Sequence, residues 1–143
     1  MDEVTDTELI LLKGHLLLES VIDQSLGHLV RRDGVDSLNI SFAKKLQLLR
    51  LLHDMDHEQF LKIQAFTLQV NRLRNKLAHE LNFDSSASEF ERWANAVLDA
   101  FPATKISKYT FRTKIVHAFA SLASQLGATA EVHVGRRAAK EGL

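Results

Sequence analysis

The sequence has no cysteine, which removes disulfides, thiolate metal sites and cysteine nucleophiles from consideration. One proline and six glycines in 143 residues are too few turn-formers for a succession of hairpins. Net charge is also missing. Lys+Arg and Asp+Glu are 18 each, so attraction for phosphate has to come from local clustering rather than from a whole-molecule field. No apolar run approaches the roughly 18 residues of a membrane span, and the opening MDEVTDTELILL is acidic where a secretory leader is basic. A soluble, cytoplasmic protein with no membrane partner is therefore expected. The sequence also lacks a glycine-rich phosphate loop, a serine elbow and a zinc signature, so no cofactor and no metal are expected.

What the chain does have is apolar residues, 45% of the total, enough for one domain with its own core. They recur at helical spacing. Thr5 and Glu8 match a capping box and open a first helix, whose inward face is expected to hold Ile10, Leu12, Leu16, Leu17, Val21, Ile22, Leu26 and Leu29 before RRDGVDS at 31–37 stops it. A second helix runs from about Ser41 to His53, with Phe42, Leu46, Leu49 and Leu52 repeating at three and four residues. Asp56 caps a third, with a stripe of Phe60, Ile63, Val70, Leu73 and Leu77. Ser86 and Glu89 form a second capping box, for a helix with Trp93, Val97 and Leu98 that ends before Pro102. The fifth spans about Ser107 to Leu126, with Phe111, Ile115, Phe119 and Leu122. The pattern predicts an all-α, single-domain bundle of about five helices over residues 1–126, in up-down order. Residues 127–143, with Arg136, Arg137 and Lys140, are expected to form a short extra element or a mobile tail.

Polar residues within this frame set the functional question. NRLRNKLAHEL, residues 71–81, closes the third helix. Residues three and four apart share a face, so Arg72, Asn75 and His79 line one edge. Arg74 lies five residues before His79, about 140° away around an ideal helix, so the two converge only if the helix bends or if a second copy packs across a two-fold axis. An imidazole exchanges a proton near neutral pH and a guanidinium holds a permanent charge and a fork of donors, with asparagine able to orient either. That set suits RNA cleavage without metal, by attack of a ribose 2′-hydroxyl on the adjacent phosphate.

RNKLAH, Arg74 to His79, resembles the R-x(4-6)-H motif of HEPN domains, with Asn75 as the polar residue that often follows the arginine. Its place late in the third helix of a small bundle is also similar to that family. The resemblance implies a HEPN-like fold and a homodimeric, metal-independent ribonuclease of the toxin-antitoxin or antiviral defence kind. Arg74 and His79 would be the catalytic pair, Asn75 the supporting residue, RNA the substrate, and an antitoxin or other regulatory protein a possible partner. Other HEPN proteins have lost catalysis and act as RNA-binding, nucleotide-binding or regulatory modules, the alternative that the resemblance leaves open. A tyrosine commonly follows the histidine by two residues in toxins silenced by a nucleotidyltransferase. Here that position is Leu81, which puts such a partner in doubt.

Three further features carry expectations. His15, Glu19 and Asp23 recur every four residues in the first helix. Either Glu19 or Asp23 pairs with Arg74 or Arg72, or the stripe meets water beside the core. His53 and His57, four apart, span the break between helices 2 and 3 and lack a third ligand at matching spacing, so they do not read as a metal site. Lys44, Lys45, Arg50, Arg31 and Arg32 could touch phosphates, but read more simply as the wet side of amphipathic helices.

Overall fold

The computed structural model describes residues 3–32, 34–35, 39–79, 84–101 and 111–140, with side chains over 8–32, 34–35, 39–79, 88–101 and 113–130. Five helices follow one another: α1 (Glu3–Val30), α2 (Phe42–Leu52), α3 (His57–His79), α4 (Asp84–Ala100) and α5 (Phe111–Lys140). Among the described residues there is no strand. No helix among them is long and apolar enough to cross a membrane.

Asp56 caps α3 as the sequence implies, and Ser41 caps α2 in the same way. The Lys44 N–H donates to the Ser41 hydroxyl oxygen at 3.2 Å, and the Gln59 N–H donates to the Asp56 carboxylate at 3.0 Å, each satisfying an otherwise orphaned first-turn donor. Thr5 and Ser86, the leading residues of the two capping boxes, lie outside the residues whose side chains are described, and the start of the fifth helix at Ser107 lies outside the described residues. The end of α1 is less ordinary. The Arg32 N–H donates to the Gly27 carbonyl at 3.2 Å, and Arg31 holds a φ of 61°. This is the left-handed closing turn that glycine normally occupies, and a side chain there costs about 1–2 kcal/mol.

The core draws on all five helices, with Leu18, Ile22, Leu46, Leu49, Phe60, Ile63, Trp93, Val97, Ile115 and Leu122 fully buried. On α2, α3 and α4 the inward stripe is close to the one read from spacing, although Leu52 stays exposed and Leu77 and Leu98 are only half-buried. On α1 it is not. Leu12, Leu16 and Leu17 are 44%, 55% and 45% exposed, while Leu11, Gly14, His15, Leu18, Ile22, Ser25 and Leu26 face inward. The reason lies in α5. The Phe119 ring carbons stand 2.5–2.6 Å from where a Cβ on residue 14 would be, so only glycine lets α5 seat on this side. Once seated, it fixes which face of α1 is covered.

Paired side chains give the directions. Phe119 opposite Gly14 and the Ser25 hydroxyl donating to the Leu126 carbonyl at 3.2 Å make α5 run with α1. Asn71 against His15 and Gln59 against Gln125 make α3 run against both. Phe42 against His15 and Lys45 against Glu19 and Asp23 set α2 along α1. Lys76 with Glu89 and Phe66 with Phe101 set α4 against α3. Alternation of the up-down kind thus holds from α2 to α4, while α2 follows the sense of α1 and α5 that of α4. Helix α5 continues through Gly127 to Lys140. Residues 127–140 therefore prolong it, with Thr129 and Ala130 buried.

Candidate functional site

The last turns of α3 divide into two flanks. Arg72, Asn75 and His79 are all exposed, on the shared edge their spacing implies. Arg74 and Asn71 are half-buried and, three residues apart, occupy the other flank. The Arg74 guanidinium comes 3.5 Å from the Asn75 side-chain oxygen, the outer limit of a hydrogen bond. Helix α3 is continuous to His79, which puts Arg74 about 7.5 Å from His79 along the axis, on a different face. A single copy of the chain does not bring the two together.

The polar stripe of α1 is engaged, though not by the partners expected. Lys45 Nζ sits 3.2 Å from Glu19 and 2.9 Å from Asp23, so it is this α2 lysine, not Arg74 or Arg72, that both acids hold. Lys45 is 3% exposed, which corrects its reading as part of a wet face. Its position explains why: it follows Phe42 by three residues and precedes Leu49 by four, squarely on the buried stripe of α2. Burial acts most strongly on Lys45 and pulls its pKa down, but hydrogen bonds and charge from Asp23 and Glu19 together lift it above the ordinary value, so the lysine stays charged.

His15, also 3% exposed, bridges α1 to α3. Its Nε2 is 2.9 Å from the Asn71 side-chain oxygen, and its ring lies 4.6 Å from that of Phe42. Nδ1 is buried with no hydrogen-bond partner among the described residues. Burial lowers the His15 pKa, opposed by the Asn71 hydrogen bond, with the Arg74 charge lowering it further and Glu19 raising it. A neutral ring follows, buried too deeply to exchange protons with a substrate. Its consequence is mechanical: it fastens α1 to α3 one turn before Arg74.

Asn71 is therefore the residue that sequence reading passed over, and Lys45 the one it placed on the wrong face. Asn71 stands three before Arg74 within the quoted stretch, so spacing alone could have placed it on the arginine's flank. His53 and His57 close the corner between α2 and α3, as the sequence suggests, with His53 Nε2 3.1 Å from His57 Nδ1 and the His53 ring stacked on Phe60 at 4.2 Å. Among the described residues no group of three or more His, Asp or Glu side chains is placed to hold a metal ion. No family model, curated protein or solved structure matches the chain.

Proposed function

We propose that the protein is a metal-independent endoribonuclease of the HEPN kind, acting as a homodimer in which α3 of each copy lines a shared cleft. The observation that carries the reading is the contrast along one helix: Arg74 is half-buried beside the His15–Asn71 bridge, while His79 stands exposed in the last turn of α3. A fixed charge and an accessible proton carrier are the two groups that the reaction needs. In that cleft a ribose 2′-oxygen attacks the adjacent phosphorus and His79 takes its proton. Arg74 offsets the charge growing on the non-bridging oxygens. The bond from phosphorus to the 5′-oxygen breaks, that oxygen takes up a proton, and the products are a 2′,3′-cyclic phosphate and a 5′-hydroxyl. Asn75 orients Arg74. The biological setting that fits is a toxin or phage-defence effector in the cytoplasm, held in check by an antitoxin or other regulatory protein.

Single-stranded RNA incubated with the purified protein in EDTA tests this. Cleavage is expected, with His79→Ala lowering it at least about 100-fold, Arg74→Ala comparably, and a strand deoxygenated at the scissile 2′ position left intact. Sedimentation of the same sample should report a dimer. RNA that is bound but never cut would instead support a non-catalytic module acting through the same surface. A strictly monomeric protein, or cleavage indifferent to His79→Ala, would sink the nuclease.

A further inference from the structure

Helix α2 inverts the polarity of an ordinary surface helix. Its inward stripe of Phe42, Lys45, Leu46 and Leu49 includes a lysine, while Leu48, Leu51 and Leu52 are 40%, 80% and 38% exposed. Those three leucines, three and four residues apart, share one face. A lysine is almost never fully buried unless paired, and here Glu19 and Asp23 hold it and so fix the roll of the helix. A roll that took Leu48 and Leu52 inward would carry Lys45 away from both acids. Exposed leucines scattered singly are ordinary. Three together on an eleven-residue helix, kept outward by a buried ion pair, mark a contact surface.

Charge selects the occupant. Lys44 stands one turn before Leu48 and Arg50 beside Leu51, both exposed, six residues and about 9 Å apart along the axis. Among the described residues neither forms an ion pair, and α2 itself has no acid. Glu19 and Asp23 are taken by Lys45, and Asp56 is turned to the Gln59 N–H. We propose that this outer face of α2 docks an acidic amphipathic helix of another protein, its apolar stripe on Leu48, Leu51 and Leu52 and its carboxylates on Lys44 and Arg50. Anchors three and four residues apart are the signature of helix docking. A two-fold contact between two α2 helices would set one basic face on another, with no acid on either. RNA would engage the two cations and leave the leucines wet, and an anionic membrane calls for a larger cluster of cations. Because α2 supplies no residue to the α3 motif, the proposal stands apart from the nuclease reading.

The test selects peptides on the full native chain from a displayed library of single helices randomised on one face. Enriched sequences are expected to carry Asp or Glu beside an apolar stripe, and the best of them to shift the amide signals of Gln47, Leu48, Leu51 and Leu52 in the isotopically labelled chain. Leu51→Ser, at a side chain 80% exposed, should leave the thermal midpoint in place. It should nonetheless weaken that peptide at least about ten-fold. Lys44→Glu with Arg50→Glu should reverse the preference, so that the same selection returns Lys and Arg. Enrichment without acids, no enrichment, or affinity indifferent to Leu51→Ser would overturn the proposal. So would self-association that Leu51→Ser abolishes, pelleting with phosphatidylserine vesicles, or shifts of the Leu48 and Leu51 amides with an oligoribonucleotide, which assign the face to a second copy, a membrane or RNA in turn.

Discussion

Helices α1 and α4 solve the same problem differently. In α4 the buried residues are Phe90, Trp93, Ala94 and Val97, one stripe at three- and four-residue spacing, and the Trp93 indole N–H finds the Phe66 carbonyl at 3.0 Å. In α1 the buried face contains a glycine, a histidine and a serine while four leucines, Leu9, Leu12, Leu16 and Leu17, stay outside. The difference teaches that apolar content orients a helix only when there is just enough of it for one face. Where leucines surround the axis, as from Leu9 to Leu18, the inward side is chosen by shape and polar partners. Here those are the notch at Gly14, Asn71 across from His15, and Lys45 across from Glu19 and Asp23.

Four perturbations sharpen or break this contrast, beginning with the largest. Trp93→Ala should cost about 3–5 kcal/mol in a urea melt, the usual loss for a large aromatic in a packed core. A loss below about 1 kcal/mol would mean that α4 is held by something other than its stripe. Lys45→Met should cost up to about 3 kcal/mol, at the low end for a broken buried pair because Glu19 and Asp23 retain some access to water. Adding Glu19→Gln and Asp23→Asn should recover most of it. If the triple variant stayed as weak as the single, packing rather than charge would be the cause.

His15 gives a smaller, pH-dependent effect. Its folded pKa lies below the ordinary 6.5, so the unfolded chain binds the proton more readily. The stabilisation is complete above that ordinary value and is lost as the pH falls from it toward the folded pKa, by at most about 1.4 kcal/mol per pH unit. Urea midpoints between pH 7.5 and 5.5 should therefore fall more steeply for the native protein than for His15→Gln, and equal slopes would remove His15 from the account. Least of all, Leu12→Gln with Leu16→Gln should change the stability of the folded chain by no more than about 0.5 kcal/mol. A large loss at constant protein concentration that shrinks on dilution would show that those leucines are covered by a second copy.

Local signals carried several helix ends, though not that of α5, expected at Leu126 and found at Lys140, and the long-range contacts were beyond them. Asp56 was legible because a cap is a property of a few adjacent residues, and Phe60, Ile63, Val70 and Leu73 because α3 has one clear apolar stripe. The phase of α1 was not legible, since it depends on a contact with Phe119, more than a hundred residues away. The same limit applied at the site. Spacing correctly put Arg72, Asn75 and His79 on one edge and Arg74 on another. Which cation would meet Glu19 and Asp23 depended on the direction of α2, and pattern alone does not fix direction. The chemistry of Lys45 directs it to water, yet its register among Phe42, Leu46 and Leu49 already argued otherwise.

The shared sense of α1, α2, α4 and α5, with α3 alone opposed, has an electrical outcome. Each helix carries about half a unit charge of opposite sign at its two ends, and four such separations add while one subtracts. The formal charge is zero, yet the backbone dipoles of these helices do not cancel. That backbone contribution favours anions where four helices begin and cations where they end, a bias that added salt weakens.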